Sequence, residues 1–479
     1  MKVNYDERTI MSQFFSLEEI LQITRGKLIG KASSSAILPE KISIDSRTLR
    51  KGDLFLALKG PRFDGHNFLK DCWKKGGSGA IVLEDITSPS PNFFLIQVRD
   101  TLQALEELAR FHQRRLSPLL VGVTGSSGKT TVKEMIWHIL SQKYPTLKSP
   151  GNFNNQIGTA LSLLKLSPHH RFAVLEMGMN HAGEIAHLAA LIEPTIGVIV
   201  NIQRAHFGFL GGLEEIKEAK AELIDYLNTR KESWLVLNAD DPWTPELERR
   251  SRSRLMTFGI VREAGVRASK IRWDESRLDF QLSYGQRKQV IHLPLPGKYN
   301  LANVLAASAV ALILKVPLED IAQALSEFQP LPHHFQIQMQ GGFRIVDDAY
   351  NANPDSMRET LDLFKRMRGK RKIAILGDML ELGEKSSLFH REVGQHLARL
   401  GMDAVFTFGD LAREVAKEAR RRGVDDCFPF DEKDELVEEL LHYVREGDCL
   451  LIKGSRGMRM EEVVEKLRIR LCLPTSLHP

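Results

Sequence analysis

The stretch Val123–Thr131, VTGSSGKTT, sets a lysine and two threonines at the end of a glycine-bearing turn. Backbone amides in such a turn, continued by a helix N-terminus, form a cradle for phosphate oxygens. Lys129 would neutralise phosphate charge there, and the Thr130 hydroxyl would ligate Mg²⁺. The common spacing of phosphate loops asks for glycine at position 123, where this chain has valine. Gly125 and Gly128 still supply flexibility beside the phosphates. An apolar strand-like run, Leu119–Val123, precedes the turn, and the helix-forming TVKEMIWHIL follows it. Gly125, Ser126, Ser127, Gly128, Lys129, Thr130 and Thr131 are therefore expected to bind ATP.

Further polar segments recur at the ends of apolar runs. SPGNFNNQIG, from Ser149, gathers asparagines around glycines, so Asn152 and Asn155 are either parts of a structured loop or contacts to a phosphate or sugar. Glu176 ends an apolar run, and ligands of open parallel sheets bind outside the carboxyl ends of strands. A carboxylate there is either a Mg²⁺ ligand or a solvated strand end. His206 follows the next such run and Lys220 lies in EEIKEAKAELI; spacing alone singles out neither. Asn300 and Asn303, three apart in a predicted helix, have the groups to read a base edge. Asp348, Tyr350, Asn351 and Asn353 fall in IVDDAYNANPDSM, and Lys453, Ser455 and Arg456 in LIKGSRGM. So many polar, glycine-bearing strand ends point to a cleft between domains.

The elements that must position these residues are those of an α/β protein. At 479 residues the chain exceeds one hydrophobic core. Ser16–Glu19 forms a capping box before a short helix. Strands are expected at Asp53–Leu58, Ala80–Val82 and Phe93–Val98, with an amphipathic helix from Thr101 to about Gln113. Arg114–Pro118, RRLSP, reads as a linker. From Leu119, buried strands alternate with helices, the βαβ signature of a parallel sheet, with Phe172–Glu176, Thr195–Asn201 and Ser233–Leu237 as strands. Ile271–Leu293 alternates and reads as an antiparallel insertion turned at SYGQRK. After FQPLP a third unit follows, with strands at Phe343–Asp347, Lys372–Leu376, Ala404–Phe408 and Cys449–Ile452. The expected domains are 1–114, 115–328 and 329–479.

A net charge of +5, with basic residues scattered, argues against a nucleic-acid surface and suits an anionic small molecule. No run approaches the ~20 apolar residues that span a bilayer. Cys72, Cys427, Cys449 and Cys472 have no metal-ligand spacing and read as free thiols of a reducing, cytoplasmic setting.

Taken in order, GSSGKTT, GNFNNQIG, EMGMNHAGEI, AHFGFLGG with AKAE, NADD, DDAYNANPDSM, LGDMLELGE and KGSRGM resemble the Mur ligase family of cell-wall synthesis. The resemblance covers nearly the whole chain and is nearest to the member that adds a D-alanyl-D-alanine dipeptide. DSR (Asp45–Arg47) and GPRFDGHNF (Gly60–Phe68) look like the family's UDP-sugar-binding first domain, which assigns Ser46, Arg47, Asp64, Gly65 and His66 to substrate. It implies a small N-terminal α/β domain, a central phosphate-loop domain and a Rossmann-like C-terminal domain.

The resemblance also implies ATP-dependent amide formation through an acyl phosphate, joining D-alanyl-D-alanine to UDP-N-acetylmuramoyl-tripeptide. It makes Lys129, Glu176, His206 and Lys220 catalytic, and Thr130, Glu176, His206 and Lys220 ligands of two Mg²⁺ ions. Lys220 would be carbamylated by CO₂, which turns a cation into an anionic ligand. Asn300 and Asn303 would approach adenine and Asp348 the ribose, and the chain would act as a cytoplasmic monomer. Asn152, Asn155, Tyr350, Asn351, Asn353, Lys453, Ser455 and Arg456 would contact substrate.

Two departures stand out. Tyr299-Asn300 replaces the family's usual histidine-asparagine, and PHHFQIQ, with His333 and His334, stands where relatives carry an arginine. Arg344 is a candidate replacement for that arginine. A sibling adding the third residue usually carries Asp-Asn-Pro-[Arg/Ala], which is absent here. Besides that sibling, the pattern leaves room for a folylpolyglutamate-type ligase or a non-catalytic nucleotide-binding relative.

Overall fold

The computed structural model describes residues 15–31, 36–37, 41–61, 63–83, 86–205 and 207–471. Three sheets follow one another along the chain. The first has five strands, ordered Lys27–Ile29, Phe94–Val98, Gly79–Leu83, Leu54–Leu56 and Ile42–Ser43. The helix Leu17–Thr24 opens with the expected capping box: the Ser16 hydroxyl accepts from the Glu19 amide at 3.0 Å, and Glu19 accepts from the Ser16 amide at 2.9 Å. The helix Thr101–Leu116 runs past the expected boundary, so RRLSP is not a linker. Its arginines are helical and engaged, Arg114 with Glu193 and Arg115 with Glu19, and the turn is made at Ser117 in the left-handed conformation.

The second sheet has nine strands. Its order is Thr146–Lys148, Phe172–Glu176, Leu119–Thr124, Ile196–Ile199, Trp234–Asn238 and Arg254–Gly259, all parallel, then Val266–Trp273, Leu278–Tyr284 and Arg287–Leu293. The alternating segment therefore extends the same sheet, its first strand parallel to Arg254–Gly259 and the other two antiparallel. The central strands are buried along their length because helices cover both faces. The register places Glu176 opposite Val123, one residue before the end of the strand that leads into the phosphate loop.

The third sheet is ordered Gln336–Gln340, Phe343–Asp348, Cys449–Lys453, Lys372–Gly377, Ala404–Phe408 and Asp426–Phe430, parallel except for its first edge strand. Here Asp348 is level with Lys453, so two polar strand ends meet. Cys72, Cys427 and Cys449 are buried free thiols, pushed up by burial to about 11, 11 and 12; Cys472 lies outside the described residues. No helix among the described residues is long and apolar enough to cross a membrane.

Candidate active site

The helix Lys129–Ser141 begins at Gly128, which adopts φ 76°; a side chain there would be strained and would overlap the Asn303 amide. This turn aims Lys129 back over its loop, donating to the Gly125 carbonyl at 2.9 Å. Burial pushes the Lys129 pKa down, with the charges of Glu176 and Glu381 opposing it. The loop is braced from behind. Asn201 Oδ1 accepts from the amides of Ser126 and Ser127, both at 3.0 Å, and the two serine hydroxyls donate to the Gln203 carbonyl and side-chain oxygen at 2.9 and 2.7 Å. The serines thus shape the loop with their side chains.

Glu176 is 2 % exposed, and both oxygens of its carboxylate are used. Thr130 Oγ1 donates to Oε2 at 2.9 Å and Asn154 Nδ2 to Oε1 at 2.9 Å. Hydroxyl and carboxylate oxygens placed together suit a hard cation such as Mg²⁺. Lys220, on the helix Leu213–Leu227, is 1 % exposed and has no hydrogen-bond or ion-pair partner among the described residues. Burial, and then the charge of Lys129, depress its pKa far below the usual lysine value. His206 lies outside the described residues.

A cleft of about 760 Å³ is lined by Lys129, Thr130 and Glu176, while Lys220 is not among its lining residues. One wall carries Ser126–Thr131, Asn152, Asn155 and Glu176; the other carries Asp348, Tyr350, Asn351, Asn353, Lys453, Ser455 and Arg456. The second wall is knit together internally. Asp348 accepts from Lys453 Nζ at 2.6 Å, Thr360 Oγ1 at 2.8 Å and the Phe335 amide at 3.0 Å. Lys453 also donates to the Asn351 carbonyl, Ser455 to the Ala352 carbonyl, and the Arg456 amide to Asn351 Oδ1. Asn353 caps the helix Pro354–Lys365. The Tyr350 ring stacks on His334 at 4.2 Å.

Asn300 and Asn303 line the same cleft, each 5 % exposed. Asn300 spends its amide on the Pro296 carbonyl at 2.8 Å, so its reach toward a base is limited. His334 lines the cleft with a pKa that burial pushes below 6.5, so it brings no charge at neutral pH. His333 is bound to Asp347 at 2.9 Å. Arg344, the candidate replacement for the missing arginine, does not line the cleft: it pairs with Glu275 of the hairpin insertion. Arg456 lies over the Tyr350 ring at 5.7 Å and is the one arginine lining this cleft among the described residues.

The first-sheet candidates stand apart from this cleft. Arg47 is 87 % exposed along its side chain and pairs with Asp45 at 2.8 Å. Lys75 donates to the carbonyls of Ser46 and Arg47. His66 donates to Asp64 at 2.6 Å and accepts from the Leu83 amide at 3.0 Å, which fixes its tautomer and holds Asp64 in place. Gly65 passes so close to the backbone of Ala57 and Leu58 that a Cβ would collide.

Residues 40–113 match the Mur ligase family catalytic domain, 123–311 the Mur ligase middle domain, and 335–456 the Mur ligase glutamate ligase domain. The chain belongs to the Mur ligase family. This Mur ligase is 34% identical over 455 residues to the UDP-N-acetylmuramoyl-tripeptide–D-alanyl-D-alanine ligase of Bacillus subtilis, covering 94% of this chain and 98% of that protein. It is 34% identical to the Escherichia coli enzyme of the same name over 463 residues, 95% and 98% of the two chains. Its fold is similar to the crystal structure of MurF from Acinetobacter baumannii, with a TM-score of 0.87, 32% identity and coverage of 95% and 99%. MurF from Thermotoga maritima in complex with ADP gives a TM-score of 0.79 at 30% identity, covering 90% and 97%.

Four further residues of this Mur ligase matter to the cleft and carry no distinctive sequence motif. Asn201 and Gln203 brace the phosphate loop, and Asn154, not its neighbours Asn152 and Asn155, holds Glu176. Arg204 ties the segment that follows the strand Ile196–Ile199 to the third sheet's helices through Asp355 at 2.7 Å and Glu392 at 2.9 Å. Their signal was position just beyond a strand end, which polar residues of many loops share.

Proposed function

We propose that this Mur ligase uses ATP to join D-alanyl-D-alanine to UDP-N-acetylmuramoyl-tripeptide, a step of peptidoglycan precursor synthesis. The observation that carries the reading is the single cleft in which Lys129, Thr130 and Glu176 face Asp348, Tyr350 and Lys453. A carboxylate is a poor electrophile, so its oxygen first attacks the γ-phosphorus of ATP and ADP leaves. The dipeptide amine then attacks the acyl phosphate carbonyl, the amide forms, and phosphate and a proton depart. Catalysis here is positioning and charge neutralisation.

Lys129 holds the transferring phosphoryl group, with the backbone amides from Gly128 to Thr131 around the phosphates, those of Ser126 and Ser127 being taken by Asn201. Thr130, Glu176, His206 and Lys220, the last as a carbamate, would hold Mg²⁺. The bound metal neutralises charge on the phosphoryl oxygens. The donor set fits: a buried lysine with no partner among the described residues, beside Lys129, repels a metal as an ammonium but offers anionic oxygens as a carbamate. Asn303 and Asp348 contact the adenosine, and Asn152 and Asn155, with Lys453, Ser455 and Arg456, contact the peptide substrates. Ser46, Arg47 and the Asp64–His66 turn bind the UDP end. The protein acts as a monomer in the cytoplasm, where ATP is supplied.

The test is phosphate release from ATP with UDP-N-acetylmuramoyl-tripeptide and D-alanyl-D-alanine supplied singly and together. Release is expected only with the full set. Silence with the full set would sink the reading, and release with a free amino acid in place of the dipeptide would assign a sibling reaction.

A further inference from the structure

Lys133 lies one helical turn beyond Lys129, on the helix Lys129–Ser141, and is completely buried. Burying an ammonium is costly unless it is paired and hydrogen-bonded, so its surroundings say what it is there for. Its Nζ donates to the carbonyls of Ser149 and Gly151, each at 2.9 Å. It stands 3.3 Å from Glu134 and 3.8 Å from Glu176. Glu134 is also engaged by Lys148, which leaves part of the Lys133 charge for Glu176.

The same asparagine loop reaches Glu176 by two further bonds. Ser149 Oγ accepts from the Glu176 amide at 3.1 Å, and Asn154 donates to its carboxylate at 2.9 Å. The Asn154 carbonyl in turn accepts from the Gly178 amide at 2.8 Å. Lys133 therefore sits where the phosphate-loop helix, the Asn152–Asn155 loop and the strand-end carboxylate meet. Two bonds hold the loop, and one charge steadies the carboxylate that Thr130 shares. An apolar side chain would fill this helix position among Met135 and Ile136 without either effect.

We infer that Lys133 is a positioning residue that ties the Asn152–Asn155 loop to Glu176, so that binding of the UDP-linked acceptor at the loop aligns the group that serves phosphoryl transfer. The inference rests on the ligase reading above. Removing the cation leaves the buried Ser149 carbonyl without that donor, frees the carbonyl of exposed Gly151 and loosens the loop, while the phosphate cradle of Ser126–Thr131 keeps its own bracing. Lys133→Met should raise the KM for the UDP-tripeptide about tenfold and lower kcat at least tenfold, with the KM for ATP within threefold of the unaltered chain. Asn154→Ala, at a half-buried position, should move the same two constants. Because both act through Glu176, the double variant should lose less than the product of the separate losses.

All rates are taken per folded molecule, from circular dichroism and thermal melting. Kinetics of Lys133→Met within twofold of the unaltered chain would overturn the inference. So would a rise in the KM for ATP alone, or losses that multiply. Should Lys133→Met fail to fold, Asn154→Ala decides, and unchanged kinetics there overturn it. Turnover by the unaltered chain alongside such a result leaves the ligase reading standing. No turnover by the unaltered chain with the full substrate set overturns that reading and the inference with it.

Discussion

Lys217 and Lys220 lie one helical turn apart on the helix Leu213–Leu227, and both are about 1 % exposed. Their surroundings are opposite. Lys217 is held by Glu246 at 2.5 Å, by Glu218 at 3.0 Å and by Glu214, with the Trp243 ring 5.0 Å away. Burial works against its charge, yet these carboxylates outweigh burial and raise its pKa. Among the described residues Lys220 has none of this: burial and the neighbouring Lys129 both work against its charge. The difference teaches how to read a buried lysine. One compensated by carboxylates has a structural explanation within the fold. One left without any invites a chemical explanation, and conversion of the amine to a carbamate is one that removes the conflict.

The sharpest way to break that comparison is to delete Lys220. Lys220→Ala should lower kcat roughly 10²- to 10³-fold, as for removal of a group that stabilises developing charge. Short carboxylates such as acetate, filling the vacated space, should restore part of the loss. Steady-state phosphate release with and without acetate measures both. Unaltered turnover would remove the carbamate role, and a loss that no small carboxylate relieves would weaken it.

Deleting Lys217 should do something else. Lys217→Met removes a cation whose partners are half exposed, so the loss of stability should be about 1–2 kcal/mol, in the ordinary range for a point change. Activity per folded molecule should stay within twofold, since the Lys217 charge is taken up by Glu214, Glu218 and Glu246, none of which lines the cleft. Urea unfolding and the phosphate-release assay separate these outcomes. A large catalytic loss at intact stability would erase the distinction between the two lysines.

The two lysines also mark where sequence reading stops. The phosphate loop was legible because glycine, lysine and threonine at that spacing, between an apolar run and a helix-forming one, have few other uses. Glu176 was legible as a position, since a carboxylate at the carboxyl end of a parallel strand faces the crevice. EEIKEAKAELI was not, because a lysine in so glutamate-rich a helix usually lies on a solvated face; only Lys217 has a glutamate at helical distance, Glu214, and packing against the neighbouring helices and strands decides which lysine is paired. Resemblance to the family selected Lys220 where spacing could not. Asp426–Phe430, with Pro429 inside it, and Thr146–Lys148 are edge strands too short or too polar to show strand periodicity. The hairpin insertion had the expected antiparallel pairing, but its docking onto Arg254–Gly259 depends on a parallel contact of two residue pairs that no local pattern encodes.

The smallest expected effect tests the electrostatic half of the comparison at acid pH. Hydrogen bonds from Arg250 and then Lys217 hold the Glu218 carboxyl below its ordinary value of 4.5. As pH falls below 4.5, the unfolded chain takes up a proton at this position that the folded chain resists. The stability that Glu218 contributes is therefore present above pH 4.5 and is lost as pH falls through the folded-state value. Lys217→Met removes the second of the two hydrogen bonds and brings the folded value back toward 4.5, so the variant should lose less over the same window. Arg250 remains, so the loss should shrink without vanishing. The side chains of Glu218 and Arg250 are 49% and 33% exposed, which keeps the difference below about 1 kcal/mol. Urea midpoints of the two chains between pH 6 and pH 3.5 give the slopes. Parallel slopes would mean that Lys217 is held by its packing against Trp243 and not by the carboxylates, and the contrast with Lys220 would then be one of shape alone.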